Sequence, residues 1–225
     1  MICTNNILSI IVLLPIIGSL LLVFIPSSRI ELIRFIGLGT SLLTFTLSLF
    51  LWVWFDQSIS KFQFVVELLW LSDMNINLSL GVDGISLFFL LLTTLLMPLC
   101  LLASWNSVKI YVKEYFIAFL IMESLLIVVF STMDLLLFYI FFESVLIPMF
   151  LIIGIWGSRE RKIRAGYMFF LYTLIGSVLM LLGILYIYYT VGTTDYEVLL
   201  QFEFSVLEQK VLWLAFFASL ATKIP

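Results

Sequence analysis

Leu135-Leu136-Leu137-Phe138-Tyr139-Ile140-Phe141-Phe142-Glu143-Ser144-Val145-Leu146-Ile147-Pro148-Met149-Phe150-Leu151-Ile152-Ile153 carries one charged side chain, Glu143, in a run that is otherwise apolar or weakly polar. At about 1.5 Å per residue, a helix of this length crosses the roughly 30 Å hydrocarbon core of a bilayer. A carboxylate at that depth costs about 2.5 to 3.5 kcal/mol on insertion scales, so it faces protein or water rather than lipid and marks a functional site. The chain offers one comparable base, Lys223, in the apolar run Val211 to Pro225, with Thr222 as its polar neighbour on the N-terminal side. An acid and a base held in lipid point to proton handling.

The rest of the chain has the same character. With 64% hydrophobic and 11% charged residues and a mean hydropathy of +1.24, it reads as an all-α polytopic membrane protein rather than a soluble globule. Six full transmembrane runs are expected at Ile7 to Ile25, Leu32 to Trp54, Gly84 to Trp105, Tyr115 to Ser131, Leu135 to Ile155 and Gly166 to Thr190, with the first half of a seventh at Val211 to Pro225. They group as residues 1–112, holding helices 1–3 and an outer loop at 55–82, and residues 113–225, holding helices 4–7. The first run has no basic residue before it, and Ile25-Pro26-Ser27-Ser28-Arg29 places positive charge after it, so it reads as a retained span rather than a secretory signal. Cys3 and Cys100 form no CxxC pair and the chain has no histidine, so neither a disulfide nor a metal site is assigned. A count of 22 Phe with no His suits an organelle-encoded protein.

Charge alternates along the connections. After the first, third and fifth spans come Arg29, Glu31 and Arg34, then Lys109, Lys113 and Glu114, then Arg159, Glu160, Arg161, Lys162 and Arg164: eight basic residues against three acidic. The other connections hold Asp56, Lys61, Glu67, Asp73, Asp83, Asp134, Asp195, Glu197, Glu203, Glu208 and Lys210, two basic against nine acidic. The positive-inside rule places the first set on the matrix or cytoplasmic side and the N-terminus opposite. The cluster Gly157 to Arg164 is read first as a basic turn anchoring two helix ends, and second as a surface for a partner subunit or anionic lipid. Trp52, Trp54, Trp105 and Trp156 fall near span ends, where amphipathic rings settle at the interface.

Local signals fill in the frame. The alternation Phe62-Gln63-Phe64-Val65-Val66-Glu67-Leu68 suits a short strand on the outer surface. Asp83 and Asp134 stand where N-caps are expected, before the third and fifth spans. Gly176, Ser177 and Gly183 place small residues on one face of the sixth span for close helix packing.

Pro148 follows Glu143 by five residues and Pro225 follows Lys223 by two, so both charged groups adjoin expected helix irregularities with freed carbonyls. Burial disfavours both charged forms, while mutual proximity favours both. Two unit charges roughly 10 Å apart at an effective dielectric of about 20 interact by about 1.7 kcal/mol, enough for movement of Glu143 to switch Lys223 between holding and releasing a proton. The bland alternative is an ion pair that only fixes packing. Glu123, between Met122 and Ser124 in the fourth span, is a weaker candidate, as compatible with a structural cross-helix pair as with proton carriage.

Five stretches together carry a family resemblance: Gly81-Val82-Asp83-Gly84-Ile85-Ser86, Leu136 to Glu143, Pro148-Met149-Phe150, Phe169-Phe170-Leu171-Tyr172-Thr173 with Gly176-Ser177, and Phe217 to Pro225. The chain resembles, over nearly its whole length, the N-terminal half of the subunit-4 group of antiporter-like membrane subunits in respiratory complex I. That family includes Mrp-type cation/proton antiporter subunits. The resemblance implies that Glu143 and Lys223 match the fifth-helix glutamate and seventh-helix lysine of the proton-translocating unit. It implies a 14-helix inverted-repeat subunit in the membrane arm of NADH:ubiquinone oxidoreductase, in the mitochondrial inner membrane or, alternatively, a bacterial plasma membrane. NADH, FMN, iron-sulfur clusters and ubiquinone are then expected in other subunits, with no cofactor in this chain. The implied partners are other membrane-arm subunits, lipids, and a C-terminal half or continuation of the same subunit that supplies the helix-eight base; no nucleic acid is implied. A stand-alone cation/proton antiporter component and a non-conducting assembly subunit are the alternative functions.

Overall fold

A computed structural model describes residues 6–59, 61–71, 76–157 and 160–223. The readings made on Cys3, Asp73, Ser158, Arg159, Ile224 and Pro225 lie outside the described residues. In chain order the elements are α1 (Ile7–Phe24), α2 (Ile30–Trp54), β1 (Gln63–Leu71), β2 (Ile76–Val82), α3 (Gly84–Ala103) and α4 (Val112–Ser131). There follow α5 (Leu135–Ser144), α6 (Leu146–Trp156), α7 (Lys162–Val191), α8 (Tyr196–Gln201) and α9 (Val206–Lys223). Among the described residues, six segments are long and apolar enough to cross a membrane, with α5 and α6 together forming the fifth at Leu135–Trp156. The connection between α2 and α3 holds the expected strand and a second one, β1 and β2 pairing in one two-stranded sheet.

The chain forms two compact units, Met1–Val66 with Leu80–Ser131, and Glu67–Ser79 with Thr132–Pro225. This groups the fourth span with the first three, rather than dividing the chain at residue 112, because α4 packs on α1, α2 and α3.

In the first unit, α4 is the most enclosed helix. Gly18 faces the Thr40 side chain and Gly37 faces the Phe116 ring so closely that a Cβ at either would collide, which lets the backbones approach. Lys113 Nζ donates to the carbonyls of Val23 at 2.7 Å and Ile25 at 2.9 Å, closing the C-terminal end of α1 where backbone acceptors have no helical donor. Arg34 donates to the Val108 carbonyl at 3.1 Å and lies over the Trp105 ring. Basic residues that bias membrane orientation therefore also tie down helix ends. Asp83 caps α3 as expected, accepting from the Ser86 amide at 2.6 Å while the Ser86 hydroxyl accepts from the Asp83 amide, a reciprocal capping box.

In the second unit, Asp134 caps α5. One carboxylate oxygen accepts from the amides of Leu136 and Leu137, and the other accepts from the Thr194 hydroxyl at 2.6 Å. Backbone bonds from Leu135 to Thr194 and from Tyr196 to Met133 run beside it, so the start of α5 is fixed to the α7–α8 connection. That connection begins at Gly192, whose φ of +83° ends α7 in the left-handed conformation that glycine adopts without penalty.

The fifth span has the irregularity expected beside Pro148, at Val145, where α5 gives way to α6 while the backbone keeps helical angles (φ −60°, ψ −26°). One helical expectation needs correction. The seventh element begins at Val206 rather than Val211, because Ser205 and Glu208 form a capping box: the Ser205 amide donates to Glu208 Oε2 at 2.8 Å, and the Glu208 amide to Ser205 Oγ.

Candidate functional site

Pro148 sets the geometry. It has no amide hydrogen for the Ser144 carbonyl and its ring crowds that carbonyl, so the helix cannot run regularly through residues 144 to 148. The chain turns at Val145, whose amide still reaches the Phe141 carbonyl at 3.2 Å, and resumes as α6. Glu143 thus lies one residue from the C-terminal end of a short helix in the middle of the span. A helix C-terminus concentrates free carbonyls and partial negative charge and favours a cation.

Lys223 supplies that cation from the last residue of α9. Its Nζ lies 3.1 Å from Glu143 Oε1, 2.9 Å from the Phe142 carbonyl oxygen and 3.2 Å from the Phe142 ring centroid. The aligned hydrogen bond goes to the carbonyl; the approach to Oε1 is a charge contact, with no aligned donor on that oxygen. The ammonium is held by two consecutive residues, through a carboxylate, a backbone dipole and an aromatic face. The side chains of Lys223 and Glu143 are 16% and 18% exposed.

The level of Lys223 depends on how α9 sits on α7. A Cβ at Gly176 would run into the Thr222 side chain, next in sequence to Lys223, whereas a Cβ at Gly183 would meet only the edge of the Phe216 ring at 3.2 Å. Gly176→Ala is therefore expected to displace Thr222 and with it Lys223, at the roughly 1–3 kcal/mol typical of overpacking. Gly183→Ala should be nearly neutral. Proton translocation assayed in both variants at matched expression checks this: equal effects would show that the α7–α9 contact does not set the site.

The two principal residues singled out in the sequence thus come together. The Phe142 contribution was not foreseen, because any residue supplies a carbonyl and an apolar span is full of aromatic rings. The weaker candidate, Glu123, belongs to the first unit, on α4; it is 0% exposed, and neither of its carboxyl oxygens has a hydrogen-bond partner. Among the described residues, no cross-helix partner meets it.

Residues 132–225, the segment that contains the site, match the family described as NADH:quinone oxidoreductase/Mrp antiporter, transmembrane. The chain is 62% identical over 218 residues to NADH-ubiquinone oxidoreductase chain 4 of Arabidopsis thaliana, which covers 97% of this chain and 44% of that protein. Over nearly its whole length the chain is similar to these membrane subunits. Chain 4 of Marchantia polymorpha is 59% identical, again over 97% of this chain and 44% of the relative. Chain 4 of the animal Metridium senile is 49% identical over 100% of this chain and 47% of the relative. The chain therefore spans somewhat under half the length of these relatives, corresponding to their N-terminal part.

Among solved structures, a chain of respiratory complex I from Thermus thermophilus with bound NADH superposes with a TM-score of 0.84 at 29% identity, over 97% of this chain and 44% of that one. A chain of the Mrp complex from Dietzia sp. DQ12-45-1b superposes with a TM-score of 0.79 at 15% identity, over 98% of this chain and 24% of that one, which shows a shared fold. Like these antiporter-like subunits, the chain is a multi-pass helical membrane protein.

Proposed function

We propose that this chain is the N-terminal part of a membrane-arm subunit of proton-pumping NADH:ubiquinone oxidoreductase, and that Glu143 and Lys223 form an acid-base pair in its proton path. The observation that carries the reading is the ammonium seated on the broken end of α5. At 3.1 Å and an effective dielectric of about 20, two unit charges attract by about 5 kcal/mol, against about 1.7 kcal/mol at roughly 10 Å. Withdrawing the carboxylate by several ångströms removes most of what holds the proton on Lys223. The ammonium then gives that proton to water and becomes a neutral amine; return of the carboxylate favours uptake of another. No redox centre is required of this chain. NADH, FMN, iron-sulfur clusters and ubiquinone would reside in other subunits, and the partners would be those membrane-arm subunits, lipids and a C-terminal continuation.

The mitochondrial inner membrane fits the eukaryotic chain 4 relatives, and the charge bias supports an N-terminus on the intermembrane-space side. Single cysteines introduced beside Arg161 should label only from the matrix side, and ones beside Glu203 only from the opposite side. Labelling of both from one face would overturn this topology.

The fold likeness to the Mrp complex favours a second reading, a cation/proton antiporter component working without a redox arm. Purification from the native membrane separates the two: the chain should travel with NADH-oxidising activity, and an assembly lacking flavin and iron-sulfur subunits would support the antiporter.

A further inference from the structure

Glu123 plays no part in the pair just described, yet it is the most enclosed carboxyl among the described residues, 0% exposed and with both oxygens unpartnered. Among the described residues, the helices packed on α4 bring no cation to pair with it. Helices α1 and α3, which pack on α4, carry no Asp, Glu, Lys or Arg; Cys100 is the titratable group of α3 and is exposed. The third packing helix, α2, has Glu31 and Arg34, both near its start, and Arg34 is committed to the Val108 carbonyl ahead of α4. On α4 itself, Lys113, Glu114 and Tyr115 lie at the first turn, with Lys113 about 15 Å along the helix from Glu123 and bonded to the end of α1.

Nor is a neutral donor directed at it. The buried hydroxyls of this unit are engaged elsewhere: Ser19, Ser41, Thr44, Thr93, Ser124 and Ser131 donate to carbonyls, and Ser48 and Thr94 bond each other at 2.8 Å, so that one of them donates to its partner. What they leave free are acceptor lone pairs. An ionised carboxylate, which can only accept, has no donor here among the described residues, and the uncharged acid is the form that costs less to bury. A carbonyl without its helical donor also occurs on the neighbouring helix α1. Pro15 cannot donate to the Ile11 carbonyl, and Ile11 adjoins Val12, whose carbonyl receives Ser124, the residue after Glu123.

We propose that Glu123 is a second proton-holding site, a carboxylic acid inside the α1–α4 unit that gives its proton to an entering water molecule and recovers it during each translocation cycle. The step is balanced as carboxylic acid plus water giving carboxylate plus hydronium. The inference rests on the proton-moving reading of this family but not on the Glu143–Lys223 pair, and the two fail separately.

The test uses the intact membrane complex containing this chain. Infrared difference spectra between its oxidised and NADH-reduced states should contain a protonated-carboxyl C=O band that shifts in deuterium oxide, disappears in Glu123→Gln and persists in Glu143→Gln. Gln is isosteric with the neutral acid, so Glu123→Gln should assemble at the normal level while moving fewer protons per NADH oxidised. Absence of the band from the unmodified complex overturns the proposal, as does an assembled Glu123→Gln complex that pumps at the full ratio. If Glu123→Gln does not assemble, Glu123→Asp decides: a band displaced in frequency supports the assignment, and an unmoved band assigns it elsewhere and overturns it. Normal pumping by Glu143→Gln alongside impaired pumping by Glu123→Gln would remove the pair and leave this site standing.

Discussion

Glu143→Gln is expected to leave the membrane complex assembled and to lower NADH-driven proton translocation in sealed vesicles by about tenfold or more, a change that requires only about 1.4 kcal/mol. The direct attraction removed is larger, about 5 kcal/mol at contact for an effective dielectric of about 20. Assembly survives because the ammonium keeps two of its three neighbours, the Phe142 carbonyl at 2.9 Å and the Phe142 ring at 3.2 Å. Gln preserves size and polarity but can neither carry the charge nor exchange a proton. Glu143→Asp keeps the charge on a shorter stem, cannot reach 3.1 Å without movement, and should retain part of the activity. Full pumping by an assembled Glu143→Gln complex would make the residue structural and favour the reading of the chain as a non-conducting assembly subunit.

Much of this arrangement is legible in the sequence because the bilayer simplifies the rules. A lone acid and a lone base in apolar runs are conspicuous when every uncompensated charge is costly, and Pro148 announces the break that exposes the α5 carbonyls. Asp83 and Asp134 are readable as caps because a carboxylate before an apolar run has few other uses. Other features leave weaker traces. The strand β2 (Ile76–Val82) is written in the alternation of Ile76, Leu78, Leu80 and Val82 with Asn77, Ser79 and Gly81, a signal overlooked within the long connection. The start of α9 is written in Ser205-x-x-Glu208, a capping signal overlooked because hydropathy places the membrane boundary later. The role of Phe142 leaves no trace, since its carbonyl acts through the path of the backbone. The isolation of Glu123 could be partly anticipated, because α1 and α3 carry no charge, but its lack of any hydrogen-bond partner emerges only from packing.

Removing the other member of the pair should not give a mirror image of the Glu143 result. Lys223→Met keeps most of the apolar stem but leaves Glu143 with a buried oxygen that has no aligned donor and no remaining cation. Breaking a buried pair from one side typically costs about 3–5 kcal/mol, most of it falling on the charge left behind. Lys223→Met should therefore reduce both assembly and pumping, and the assembly defect should exceed that of Glu143→Gln. Combining Lys223→Met with Glu143→Gln removes the stranded charge, so the double variant should recover assembly without recovering translocation. Lys223→Arg separates charge from proton exchange, because a guanidinium hardly deprotonates and its planar fork fits poorly against one carbonyl and one ring face. It should assemble and yet turn over slowly. Quantifying complex on native gels alongside proton uptake in vesicles distinguishes these cases. An Arg variant that pumps at the normal rate would mean that the end of α5 needs a fixed positive charge, and that the protons pass by another route.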